Sequence, residues 1–216
     1  SQPAAINAGV MNLVQMSRSE RSFFTYSSYR IAARFINTHG DVAGYHNLIM
    51  CGRFALDAPS TRVAEKFSLA DFPLLAPRYN IAPASDILVV RHRPEVGRIG
   101  QLVRWGLVPA WAKDPSIGAK LINARAETVE SKPSFRSSFA RHRCLIPASG
   151  FYEWKVVSEN GKVRRQPYYV RPAEGDGLFA FAGLLARWRS GTGEDLVTAC
   201  IITTEANALM APIHDR

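Results

Sequence analysis

The dipeptide Asn160-Gly161 constrains this chain more than any other pair of residues. It separates two strand-like runs, Trp154–Val157 and Lys162–Arg165. Asn-Gly accepts the positive φ angles of a two-residue turn, so the flanking runs are expected to pair as a hairpin. Further strands are expected at Ile87–Arg91, Tyr168–Arg171, Leu178–Leu185 and Leu196–Thr203. One short helix is expected after Ser60-Thr61, which can cap it, because Val63, Ala64 and Phe67 share a helical face. Prolines punctuate the rest (Pro77, Pro83, Pro109, Pro115, Pro133, Pro147), and there is no internal repeat, heptad or linker between residues 51 and 216. These features predict a strand-rich α+β domain.

The texture changes at residue 50. Residues 1–50 contain no Lys, four Arg (Arg18, Arg21, Arg30, Arg34) and two acids (Glu20, Asp41), a net +2. The segment is read as an N-terminal extension. It fits a flexible tail, a targeting segment or sequence upstream of the true start. Ile49-Met50-Cys51 favours the last, with Met50 as the initiator. Residues 51–216 form the domain proper and carry the remaining +7 of a total of +9, from 27 Lys+Arg against 18 Asp+Glu. Such an excess favours a polyanionic partner. No apolar run reaches the roughly 18–20 residues of a membrane span. Three cysteines without paired spacing argue against a disulfide framework and a four-ligand zinc site, and fit a reducing compartment.

Four clusters carry candidate chemistry. In Met50-Cys51-Gly52-Arg53-Phe54, Arg53 puts a cation beside a thiol, which favours the reactive thiolate. Cys144 and Cys200 have apolar neighbours and read as core residues. The second cluster joins Trp105-Gly106-Leu107-Val108-Pro109-Ala110-Trp111 to Asn123-Ala124-Arg125-Ala126-Glu127-Thr128. Trp faces near cations suit single-stranded nucleic acid, although a Trp is as readily a core residue. Asn123 and Arg125 would point the same way in an extended segment. In the third, Gly150-Phe151-Tyr152-Glu153-Trp154, an acid sits inside an aromatic run. Burial would favour its protonated form and make Glu153 a proton donor, whereas the opposite strand face would leave it merely solvated. The fourth ends in Ile213-His214-Asp215-Arg216, where His214 suits acid–base work or a structural role.

Taken together, Cys-Gly-Arg-Phe at 51–54, Tyr-Asn-Ile-Ala-Pro at 79–83, Trp-Gly-Leu-Val-Pro at 105–109, Asn-Ala-Arg-Ala-Glu-Thr at 123–128, Gly-Phe-Tyr-Glu-Trp at 150–154, Thr-Thr-Glu-Ala-Asn at 203–207 and Ile-His-Asp-Arg at 213–216 resemble the SRAP family, the SOS response-associated peptidases or abasic-site processing proteins. The resemblance covers residues 51–216 and none of 1–50. It implies a bifurcated, partly barrel-like sheet with surrounding helices. It implies a protein of the DNA damage response that binds single-stranded DNA and traps abasic sites covalently, with hydrolase or lyase chemistry. Carried over by motif, Cys51 as an N-terminal residue would be the nucleophile, Asn123 would orient it, and Glu153 and His214 would move protons. Arg53, Arg125 and Arg216 would contact DNA, as would Trp105 and Trp111. No metal and no cofactor are implied, and a monomer in the cytoplasm, nucleoid-associated in a bacterium, is expected. Two departures stand out. The extension acylates the Cys51 amine, and the chain stops at Arg216, where the family continues, so the domain reads as truncated at its C-terminus. Two other readings are an autopeptidase that cuts before Cys51 and a non-catalytic single-strand binder.

Overall fold

In a computed structural model of the protein, residues 31–35, 52–159, 161–173 and 175–216 are described. The expected hairpin forms its longest ladder. Strands β9 (Gly150–Glu159) and β10 (Lys162–Pro172) pair antiparallel from Lys162↔Glu159 to Val170↔Phe151. Gly161 takes φ +74°, the conformation the turn requires, and Asn160 lies outside the described residues. The runs expected separately at Lys162–Arg165 and Tyr168–Arg171 are thus one strand, continuous through Pro167. β9 also pairs with β2 (Arg53–Leu56), which pairs with β4 (Arg78–Ile81). On the far side, β10 pairs with β1 (Ile31–Phe35), a strand contributed by the extension. These five strands make one sheet, in the order β1-β10-β9-β2-β4.

The other strands close on themselves. β5 (Asp86–Arg93), β6 (Gly97–Trp105), β8 (Arg143–Ala148), β11 (Phe179–Arg189) and β12 (Asp195–Thr203) are joined in the order β6-β5-β8-β11-β12. A parallel pairing, Thr198↔Arg104 and Ala199↔Trp105, returns β12 to β6 and closes a five-stranded barrel. Two short strands extend it: β3 (Leu69–Asp71) on β6 and β7 (Asn123–Arg125) on β12. The chain passes from barrel to sheet at Ser149, between β8 and β9. This is the bifurcated, barrel-containing α+β architecture that the resemblance implies.

Burial explains the sequence texture. Ile87, Val89, Val103, Trp105, Ile146, Leu185, Ala199 and Ile201 form the main core, which continues to Phe54, Leu56 and Ile81 of the sheet. A second cluster, Leu107, Ala124, Val129, Phe135, Leu184, Ala186 and Cys200, covers the other face of β11 and β12. Both faces of these strands are covered, so they read as continuous apolar runs rather than alternating ones. Helix α1 (Ser60–Phe67) buries Val63, Ala64 and Phe67 as expected, but Ser60 does not cap it. Its hydroxyl instead accepts from the Leu75 N–H at 2.7 Å and tethers the following loop. Helix α2 (Arg136–Arg141) leads into β8. Among the described residues no helix is long and apolar enough to cross a membrane.

Candidate functional site

The Asn-Ala-Arg segment is a strand edge at the end of the barrel. β7 pairs parallel with β12, with Asn123 opposite Ile201 and Arg125 opposite Thr203. Ala124 between them is fully buried, so Asn123 and Arg125 share the other face, as their spacing predicts. Asn123 is partly buried and Arg125 is exposed.

The C-terminal segment folds back onto this edge. Asn207 initiates the return, its Oδ1 accepting from the N–H groups of Leu209 at 3.1 Å and Met210 at 3.0 Å. The N–H of His214 donates to the Met210 carbonyl at 2.9 Å, and the N–H of Ala206 donates to the Asp215 carbonyl at 3.0 Å. Arg216 then clamps the fold-back. Its Nη2 donates to Glu127 Oε2 at 2.8 Å, and its Nη1 reaches the Thr203 carbonyl at 3.5 Å. The hydrogen bond from Arg216 holds the Glu127 carboxyl below its usual range. The His214 side chain is 12% exposed, with Nδ1 2.8 Å from Asp215 Oδ1 and 3.2 Å from the Arg216 N–H. One nitrogen cannot serve both partners at once. Protonated Nδ1 pairs with Asp215, and deprotonated Nδ1 accepts from Arg216.

Glu153 and Arg53 lie on the neighbouring sheet. Arg53 is registered with Tyr152 on adjacent strands, and its Nη1 donates to Asn80 Oδ1 at 3.0 Å. Glu153 is 1% exposed, which resolves its two sequence readings in favour of burial. Beside it the Tyr152 hydroxyl donates to the Tyr79 carbonyl at 2.8 Å, and its ring lies 4.8 Å from that of Tyr169. Burial and Asp57 push the Tyr169 hydroxyl up to about 12. Gly150 leaves room for this ring, because a Cβ there would fall 2.4 Å from it.

Trp105 joins the two groups, and here an expectation is corrected. It is 1% exposed and has no face to offer a base, so it is not a DNA contact. Its ring meets Phe54 edge-on at 5.3 Å, next to Arg53 in sequence. Its Nε1 donates to the Ile122 carbonyl at 2.9 Å, next to Asn123. The indole therefore spaces the sheet half of the site from the barrel half. The glycine that follows is equally constrained. Gly106 has φ +128°, and a Cβ there would meet the Gly118 carbonyl oxygen at 2.6 Å. Trp111, by contrast, is 59% exposed.

Cys51 lies outside the described residues; its neighbour Gly52 is buried. The other two cysteines are buried, and desolvation pushes both thiols well above their ordinary value. They fit the core role that their neighbours suggest. Among the described residues no group of His, Cys, Asp and Glu could hold a metal ion. Two residues of the site had no role assigned from sequence. Asn80 and Glu127 lie within the quoted motifs, and each is the partner of an arginine. Only an opposite-charge or amide partner for Arg53 and Arg216 signalled them, and several were available.

Comparisons with known proteins identify the family to which these motifs belong. The family model described as SOS response associated peptidase (SRAP) matches residues 50–216. The abasic site processing protein YoqW of Bacillus subtilis is 45% identical over 170 residues, covering 77% of this chain and 74% of YoqW. The abasic site processing protein HMCES of Xenopus tropicalis is 32% identical over 168 residues, covering 65% of this chain and 49% of its own length. The chain thus spans about half of that relative. A crystal structure of a protein from Bacteroides thetaiotaomicron superposes with a TM-score of 0.66 at 28% identity, covering 76% of this chain and 72% of that one. With the family model spanning most of its length, this chain belongs to the SOS response associated peptidase (SRAP) family.

Proposed function

We propose that this chain binds single-stranded DNA and covalently traps abasic sites through Cys51, within a functional unit of residues 51–216. The observation that carries the reading is a carboxyl, Glu153, 1% exposed, on the strand beside the one Cys51-Gly52 leads into. A carboxyl held in a buried position is a candidate for proton transfer at a reacting sugar. The family match beginning at residue 50 adds support, as do the names of the relatives.

The chemistry follows from an N-terminal Cys51. Its α-amine attacks the aldehyde of a ring-opened abasic sugar and gives an imine with loss of water. The Cys51 thiol adds across the imine, with its proton passing to nitrogen, and closes a thiazolidine. No electrons are exchanged. The amine must first be freed by breaking the Met50–Cys51 peptide bond. Glu153 serves ring opening as the proton carrier, and Asn123 orients the reacting Cys51. His214 commits Nδ1 to its own loop, which leaves Nε2 for proton transfer. Arg53, Arg125 and Arg216 contact phosphates, and Trp111 offers a stacking face. Peptidase action, if it serves self-processing, is hydrolysis of that same bond by the Cys51 thiol.

Mass spectrometry tests this. Protein beginning at Cys51 is expected to gain the mass of an abasic oligonucleotide in a heat-resistant product that Cys51→Ala abolishes. A folded protein with a free Cys51 amine that forms no adduct overturns the reading. Incubating the full chain is expected to cut it between Met50 and Cys51, and persistence of that cut in Cys51→Ala overturns self-processing.

A further inference from the structure

The inward rows of the barrel change character along their length. On β5 and β6, Val89 and Val103 are core, while Arg91, Arg93 and Gln101 continue the same face, with Val89 registered to Gln101. On β11 and β12, Leu185 and Ala199 are core, and Arg187 and Asp195 continue that face. A cavity of about 440 Å³ opens where the rows end, and its walls include Arg91, Arg93, Gln101, His142, Arg187 and Asp195. This mouth is far from the candidate site. Asp195 and Thr203 are the two ends of β12, about 26 Å apart at the rise of an extended strand.

The charge in the mouth is unbalanced. Asp195 is the one carboxylate among its lining residues. It is already engaged by Arg187 and by Arg189, whose Nε lies 2.9 Å from Oδ1. Arg91 donates through Nε to Gln101 Oε1 at 2.8 Å, and among the described residues its two terminal nitrogens make no hydrogen bond. Among the described residues no carboxylate lies within 4.0 Å of Arg91 or Arg93. Desolvation, and then the charge of Arg93, press the Arg91 guanidinium below its ordinary value, the mark of a cation wanting a counter-ion. Planar guanidinium forks match phosphate oxygens, and the cavity volume lies within the range of small-ligand sites.

We propose that the barrel mouth is a second anion site, remote from the Arg125–Arg216 face, which takes a phosphate group on Arg91, Arg93 and Arg187. The source is either a free phosphate compound or the backbone of a nucleic acid strand, and the proposal does not depend on the abasic-site reading.

The test compares the full chain with Arg91→Gln/Arg93→Gln and with Arg93→Gln alone, whose exposed side chain makes loss of folding a poor explanation. Neither residue belongs to the crosslinking machinery, and ligand-free Tm and the far-ultraviolet circular dichroism spectrum serve as folding controls. The probes are inorganic pyrophosphate and an undamaged oligothymidylate, titrated at matched ionic strength. Saturable pyrophosphate binding that weakens about tenfold in the double variant assigns the site to a free phosphate compound. Oligonucleotide binding whose log K against log salt slope falls by about 0.7 per lost contact assigns it to a strand. If both probes bind the wild type and the variants alike, or bind none of them, the proposal is overturned.

Discussion

Replacing Trp105 by Phe separates a core strut from a DNA contact. The substitution keeps a ring against Phe54 and removes the Nε1 donor, so the Ile122 carbonyl loses its 2.9 Å indole partner. Leaving a buried acceptor unsatisfied costs about 1–3 kcal/mol. The missing part of the indole leaves a void at a position 1% exposed, which adds roughly 1 kcal/mol. The sum, about 2–4 kcal/mol, corresponds to a fall in Tm of roughly 4–16 °C for a domain of this size. Trp111→Ala, at a position 59% exposed, is expected to shift Tm by less than about 2 °C, because surface changes stay near ±0.5 kcal/mol. It is expected instead to weaken single-strand binding by about 1–3 kcal/mol, the worth of a stacked base. Thermal melts followed by circular dichroism and fluorescence anisotropy with an undamaged oligonucleotide read the two effects. The reasoning is refuted if Trp105→Phe leaves Tm within about 2 °C of wild type while weakening DNA binding as Trp111→Ala does.

Two further outcomes follow from the site's charges and thiols. The hydrogen bond from Arg216 holds Glu127 below its ordinary value of 4.5, so its contribution to stability is complete above that pH and is lost as pH falls through the lower folded value. With Glu127 42% exposed, the pair is worth at most about 1 kcal/mol; Glu127→Gln is expected to lower Tm slightly at pH 7 and to match wild type in acid well below 4.5, as melts at several pH values would show. Cys144 and Cys200, both buried with raised thiols, are expected to resist a thiol reagent until the protein unfolds; rapid modification of either in native conditions, detected by peptide mapping, contradicts their core role.

Local signals made the strands legible, and closure of the barrel hid the rest. Asn160-Gly161 and the apolar runs mark β9, β11 and β12 because turn chemistry and two-sided burial act over a few residues. Pro167 divided β10 in the sequence because a proline removes a ladder donor. The strand tolerates it because Pro167 lies just beyond the last β1 pairing, at Tyr168, where among the described residues β10 has a partner on one edge only. Trp105 could not be placed from sequence. Its burial depends on the parallel pairing with Ala199, which joins distant segments and has no local signature. Glu153 was ambiguous for a related reason: strand periodicity says which residues share a face, not which face is covered. The site was legible as a set of motifs and illegible as a set of partners. Asn80 holds Arg53 and Glu127 holds Arg216, and each partnership spans two motifs. The same limit concealed the barrel mouth. Arg91 and Arg93 end an apolar strand and read as a solvated terminus, and only closure of the barrel brings Arg187 to face the same cavity. Two groups of arginines toward opposite ends of one barrel strand, Arg125 with Arg216 and Arg91 with Arg93 and Arg187, are therefore a property of the topology rather than of any local run of sequence.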